Sequence, residues 1–192
     1  MREQHNLTST VNESVKIGLL DKAIANGSII GEFQDTITYS DGRVEQLDWN
    51  RNMIVNGISK LVACLMKNQS GYKGLTYWAI GQGLESWDDN LPTAQATDER
   101  LTSEIGRKAI PASAITFVDA SGQPTSGVTN RIQITLEFKE NECNGKWREF
   151  GIYGGNASTT TNSGIMINHK IHELITKTSA MTIERKIRFT FN

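Results

Sequence analysis

Cysteines and long apolar runs are scarce in this sequence, and each scarcity excludes a class of protein. Cys64 and Cys143 are the only cysteines, and their spacing fits neither a disulfide framework nor a zinc site. No stretch approaches the ~20 apolar residues that a helix needs to cross a bilayer, and the first residues carry no apolar signal region. We therefore expect no membrane association and synthesis in the cytoplasm of the producing cell.

An excess of charge of either sign is missing as well. The chain has 20 Lys and Arg residues against 21 Asp and Glu residues, a formal net charge of -1. Proteins that bind DNA or RNA neutralise phosphates with a basic surface. We expect no nucleic-acid partner.

Alternation of apolar and polar residues predicts a mainly β fold. It is clearest over Arg131–Phe138, where every second residue is apolar, and over Met181–Phe191, where Ile183, Ile187, Phe189 and Phe191 alternate with polar residues. A tight Asp41-Gly42 turn predicts a hairpin of strands over 33–39 and 44–49, and the first strand has Phe33, Asp35, Ile37 and Tyr39 on one side. Further strands are predicted over 75–80, 112–118, 147–153 and 164–171. Short strands at this spacing indicate an antiparallel β-sandwich or open barrel.

Two segments have helical periodicity instead. One apolar stripe predicts an amphipathic helix over 54–67 that packs on the strands; it comprises Ile54, Val55, Ile58, Leu61, Val62, Leu65 and Met66. A shorter stripe that includes Val15 and Leu19 predicts a helix over 11–25, followed by an Asn26-Gly27 stop.

Residues 84–104 are polar and acidic, and they predict a long surface loop that ends in a short helical piece near 97–105. The crowded carboxylates lack the alternating pattern of a calcium-binding loop, and sequence crowding alone does not make a glycosidase pair. Trp87 lies within this loop. It is either an anchor for a protein interface or a ring folded back on its own domain.

Motifs of catalysis and cofactor binding are incomplete. Gly81-Gln82-Gly83 follows a predicted strand but lacks the third glycine of a dinucleotide loop. His169 and His172 would point to opposite faces of a strand, which leaves no metal site. No Gly-x-Ser-x-Gly elbow is present. We expect no cofactor, no metal and no enzymatic activity.

Arg148 and Glu149 stand next to each other in a predicted strand, between Trp147 and Phe150. They could form a buried or interfacial ion pair, which specifies register more than it adds stability. Alternation alone equally allows both to be ordinary surface charges.

Six blocks of sequence occur in an order that resembles a widespread group of phage and prophage tail or fibre proteins. The blocks are NMIVNG (52–57), YWAIGQG (77–83), LTSEIGR (101–107), NGKWREFGIY (144–153), ITKT (175–178) and KIRFTF (186–191). Each block alone is a weak signal, and the shared order over residues 52–192 carries the resemblance.

The resemblance implies a virion structural subunit of a tail, baseplate or fibre, without catalytic residues. By analogy, residues 1–50 would form an N-terminal docking segment, a helix plus a hairpin, and residues 51–192 a β-rich assembly domain. The expected partners are further copies of the chain, in a trimer or a hexamer-related ring, and other tail proteins. The candidate interface residues are Trp87, Arg148, Glu149, Tyr72, Val15 and Leu19.

Two other functions remain open. A receptor- or carbohydrate-binding module at the tail tip would use Trp87, Tyr72 and the acidic loop to contact a host surface glycan. An enzyme that cleaves cell-wall polymers would need a catalytic pair, and Glu104 is the residue whose mutation would test for one.

Overall fold

The computed structural model describes residues 29–192, and this part of the chain is built mainly from β-strands. The strands are β1 Ile29–Tyr39, β2 Val44–Gln46, β3 Asn50–Ile54, β4 Lys73–Gly81, β5 Glu104–Ala109, β6 Ile115–Val118, β7 Pro124–Thr125, β8 Arg131–Phe138, β9 Gly145–Gly155, β10 Ile165–Lys177 and β11 Met181–Phe191. The helix α1 is Gly57–Met66, and short 3-10 turns cover Glu85–Asp88 and Ala112–Ala114.

All strand pairs are antiparallel and form one continuous sheet. The strand order is β5-β4-β9-β10-β3-β1-β11-β8-β6-β7, and β2 pairs with β1 beside this path. The short strand β3 pairs with β1 on one side and with β10 on the other. It therefore joins two halves, which we name the β1 half (β1, β2, β6, β7, β8 and β11) and the β9 half (β4, β5, β9 and β10).

Aromatic side chains pack the two halves against each other. The ring of Phe33 on β1 lies 5.1 Å from that of Phe150 on β9. Phe138 on β8 contacts Trp147 edge to face at a centroid distance of 5.1 Å. Such edge-to-face pairs are favourable beyond the area they bury. The predicted mainly β fold, a sandwich or open barrel with one helix packed on it, is confirmed.

The helix α1 packs its apolar side mainly against β10. Leu61 is almost completely buried, and the backbone N–H of Asn56, which precedes the helix, donates to the carbonyl of Ala96. The helix is shorter than predicted, because Ile54 belongs to β3. Three residues of the predicted stripe, Val62, Leu65 and Met66, stay exposed.

The sandwich core contains a buried ion pair. Asp35 and Arg185 lie directly opposite each other on β1 and β11, and two hydrogen bonds of 2.5 Å join the guanidinium to the carboxylate. Both side chains are inaccessible to solvent. The alternating pattern of β1 placed Asp35 on the apolar side of that strand. The pattern of β11 did not single out Arg185, which lies on the same side as Ile183 and Ile187.

Three local predictions were wrong. No helix forms near 97–105: residues 97–103 are loop and turn, and Glu104 begins β5. The return strand of the first hairpin ends at Gln46, and β3 follows as a separate strand. The first part of the predicted strand over 112–118 is a 3-10 turn.

The predicted boundary at residue 50 does not divide the sheet. β1 pairs with β11 along its whole length and contributes Phe33 and Ile37 to the core. Residues 29–50 therefore share one body with residues 51–192. The predicted helix over 11–25 lies outside the described residues.

Candidate functional site

The acidic loop over 82–103 is attached to the β9 half by buried charges. Arg148 on β9 donates from Nε and Nη2 to the two carboxylate oxygens of Asp88, both at 2.7 Å. Its Nη1 donates to the carbonyl of Gln82 at 2.9 Å. The bidentate pair fixes both position and orientation of the loop, and it holds the pKa of Asp88 below its ordinary value.

Glu149, the next residue on β9, holds the far end of the same loop. Its Oε1 accepts the backbone N–H of Ser103 at 2.8 Å, and its Oε2 accepts that of Thr102 at 3.1 Å. The carboxylate is completely buried. A buried carboxylate is stable only with such donors, so the loop backbone and Glu149 depend on each other.

His169 on β10 bridges Glu149 to a second carboxylate of the loop. Its Nε2 lies 3.0 Å from Glu149 Oε2, and its Nδ1 lies 2.7 Å from Asp98 Oδ2. Burial alone lowers the pKa of His169, but the hydrogen bonds to the two carboxylates outweigh it and raise that pKa. Both ring nitrogens are engaged by carboxylates, so neither is left to activate a hydroxyl or thiol nucleophile.

The LTSEIGR block forms a further cluster beside this loop. The N–H of Leu101 donates to the hydroxyl of Tyr153 at 3.1 Å. Glu104 and Arg107 form a buried bidentate pair of 2.6 and 2.8 Å. The guanidinium also donates to the carbonyl of Ser158 and stacks on the Tyr153 ring at 4.8 Å. These residues of the block hold β5 and neighbouring loops in place.

The predicted interface residues are distributed over different parts of this arrangement. Arg148 and Glu149 are both buried rather than ordinary surface charges. They do not pair with each other, because each binds different residues of the loop. A Cβ on Gly83 would lie 2.3 Å from the ring of Trp87, so that ring folds back on its own chain.

The other three candidates are not brought near these residues. Tyr72 is half-buried, and its ring is close to Gly155, where an added Cβ would lie 3.2 Å from Cδ1. Val15 and Leu19 lie outside the described residues.

An apolar groove of 160 Å³ runs between α1 and the strands beside it. Every lining residue is apolar or glycine, among them Ile58 and Leu65 of α1 and Phe189 and Phe191 of β11. The sequence predicted a buried stripe here, yet three of its members are left open. Val62 is 40% exposed, Leu65 39% and Met66 80%.

The histidines and other candidate metal ligands are not clustered in the described residues. Within 29–192 there is no group of three or more His, Cys, Asp or Glu residues that could hold a metal ion. His169 and His172 do face opposite sides, since His172 packs near the rings of Phe33 and Phe150 in the core. Burial, and then the charge of Arg185, lower the pKa of His172 to about 3. In the same range, no helix has the length and apolarity to span a membrane.

Comparisons of the sequence with protein-family models and with curated proteins found no match.

Proposed function

We propose that this chain is a structural subunit of a bacteriophage tail, baseplate or fibre, and that it associates with further copies of itself through the apolar groove beside α1. The ordered sequence blocks support the class of protein. The groove is the observation that supports self-association.

The groove supports assembly because it exposes apolar side chains where an isolated protein gains nothing from them. Val62, Leu65 and Met66 project from one side of α1 next to a groove whose lining has no polar side chain. Contiguous apolar surface of this kind marks protein interfaces more often than isolated exposed residues do.

A second copy of the chain is the occupant we infer. Two identical charged surfaces repel each other, but no charged residue lines this groove. The nearest basic side chain on α1, Lys60, is paired with Glu99 at 3.1 Å. Two such faces can therefore bury each other without like-charge repulsion.

The buried charges of the β9 half suit a building block. They fix a long loop to the sandwich through bidentate and multiple hydrogen bonds, so the outer surface keeps one shape. A subunit that contacts its neighbours with a preformed surface loses less conformational entropy on association. Other tail proteins remain expected partners, and because a groove-to-groove contact pairs two copies, the expected trimer or hexamer-related assembly needs a second contact surface as well.

Sedimentation velocity of the full chain tests the proposal. Wild-type protein is expected to be oligomeric at micromolar concentration, and Val62→Glu is expected to be monomeric, because a buried unpaired carboxylate opposes association. The matched control is Val44→Glu. Val44 is 63% exposed on β2, which pairs with the far end of β1 from the groove.

Two results would overturn self-association through the groove. One is a wild-type chain that stays monomeric at all concentrations. The other is a Val62→Glu chain that is as oligomeric as the control. Leu19→Glu tests a different occupant. If wild type is monomeric and both Leu19→Glu and Val62→Glu lower its thermal stability, the predicted N-terminal helix covers the groove.

A further inference from the structure

A polar cleft of 710 Å³ lies on the outer face of the β1 half. Its floor is formed by outward-facing side chains of three adjacent strands. Gln34, Lys186 and Thr135 form one cross-strand row, and Arg188 lies opposite Gln133 in the next. The cleft thus rests on the rigid centre of the sheet.

An aromatic ring and a turn form the walls of this cleft. Trp49, between β2 and β3, is 36% exposed, and the guanidinium of Arg188 lies 4.4 Å from its ring centroid. On the other side stands the turn between β6 and β7, with Gly122 and Gln123. Gly122 has φ +84°, and a Cβ there would lie 2.4 Å from Arg188 Nη2. The close approach of this turn holds the guanidinium in place.

Arg188 has an unused donor and an uncompensated charge. Its Nη2 donates to Gln133 Oε1 at 2.9 Å and to the carbonyl of Gly122 at 3.4 Å, its Nε is buried without a hydrogen-bond partner, and its Nη1 has no hydrogen bond to a described residue. The other cation, Lys186, is paired with Glu184 at 3.2 Å. Among the described residues no carboxylate lies within ion-pair distance of Arg188; Glu32, directly opposite on β1, pairs with Arg51 at 3.7 Å. Because Nε lies below the surface, Nη1 is the guanidinium donor that a ligand oxygen in the cleft can reach.

We propose that this cleft binds an acidic sugar, a pyranose that carries a carboxylate. The carboxylate pairs with the charge of the Arg188 guanidinium and accepts a hydrogen bond from its Nη1. The exposed amide of Gln123 both donates and accepts, as sugar hydroxyls require. The exposed part of the Trp49 ring contacts the C–H face of the pyranose.

The lining of the cleft favours a sugar over other ligand classes. Apart from Trp49 and Pro124, no apolar side chain lines it, whereas peptide partners are anchored by apolar or aromatic side chains in apolar pockets. Nucleic acids need several cations along a phosphate backbone, and Arg188 is the single uncompensated cation of the lining.

This inference goes beyond assembly, and the two surfaces are separate. Arg188 faces outward from β11, while Phe189 and Phe191, which line the apolar groove, face the other side of the same strand. Association through the groove therefore leaves the cleft open. The predicted glycan contacts Trp87 and Tyr72 are not part of this cleft.

Saturation-transfer NMR with the full chain tests the proposal, with D-glucuronic acid as the probe and D-glucose as its neutral counterpart. We expect glucuronic acid to bind with a dissociation constant of about 1 mM and glucose at least about tenfold more weakly. Arg188→Gln should weaken glucuronic acid binding by about tenfold or more, and Trp49→Ala by several-fold.

Arg43→Gln is the matched control. Arg43 also stacks on an aromatic ring, that of Tyr39 at 4.3 Å, but on the exposed hairpin away from the cleft. Its variant should bind the probe as wild type does. Gln123→Ala, at an exposed turn position, serves as a second cleft variant if Arg188→Gln unfolds.

Three results would overturn the proposal: no binding of glucuronic acid at millimolar concentration, equal binding of glucose, or an unchanged affinity in folded Arg188→Gln or Gln123→Ala. If glucose binds equally well, the cleft does not select for an acidic group. If the control variant loses binding too, the probe occupies another surface.

Discussion

Replacing Asp35 by leucine should destabilise the protein strongly, because it leaves a cation in the core without its partner. Arg185 has no solvent-accessible surface, and its guanidinium lies 4.4 Å from the ring centroid of Phe150 and 5.3 Å from that of Trp147. These rings stabilise the cation but cannot accept its in-plane hydrogen bonds. Removing one partner of a buried pair costs about 3–5 kcal/mol.

The double variant distinguishes the effect of the two charges from the effect of the volume that their side chains fill. Asp35→Leu with Arg185→Met removes both charges and keeps the volume apolar, so we expect most of the lost stability to return. Apolar replacements of buried ion pairs are often neutral, or stabilising by about 1–4 kcal/mol. The thermodynamic cycle of the two single variants and the double variant then measures the coupling free energy.

Urea unfolding followed by tryptophan fluorescence is a suitable assay, since Trp147 and Trp78 are fully buried. With a slope of about 2 kcal/mol/M, the loss for Asp35→Leu corresponds to a midpoint about 1.5–2.5 M lower. Asp41→Asn is the control: it breaks an exposed ion pair with Arg43, and its urea midpoint should stay close to that of wild type.

The reasoning about the core would be refuted by either of two outcomes. In the first, Asp35→Leu unfolds within about 1 kcal/mol of wild type, which means that water or another group satisfies Arg185. In the second, the free energy of unfolding lost by the double variant equals the sum of the losses of the two single variants. That would mean that volume and shape, not charge, decide the cost.

Two further predictions concern the loop attached to the β9 half. The raised pKa of His169 means that the folded state binds its proton more tightly, so its contribution to stability is present below about pH 6.5 and is lost as the pH rises through the folded-state pKa. Urea unfolding between pH 6 and pH 9 should show this loss in wild type and not in His169→Gln; a parallel pH dependence in both would contradict it. Gly83→Ala should cost about 1–3 kcal/mol, since φ is +56° and the new Cβ collides with Trp87. Gly42→Ala measures the backbone strain alone, because φ is +87° and no atom lies within 4 Å of the new Cβ. Equal losses of stability in the two variants would rule out a contribution from the collision with Trp87.

Strands with one buried side could be predicted from the sequence alone. The alternation in β8 and β11 depends only on the two-residue period of a strand, which is a local property of the chain. The same local reasoning placed Asp35 on the apolar side of β1. It could not recognise β5, because the residues of Glu104–Ala109 are nearly all partly buried and do not alternate.

The binding partners of the polar residues depend on the tertiary structure. Arg148 meets Asp88 across 60 positions of sequence, and His169 meets Asp98 across 71. Nothing local in the sequence specifies such a partner, because the loop path that brings them together depends on the packing of the whole β9 half. The same holds for the stripe on α1. Periodicity placed Val62 and Leu65 beside Leu61 on one side of the helix, but the packing of α1 against β10 buries Leu61 and leaves Val62 and Leu65 partly exposed.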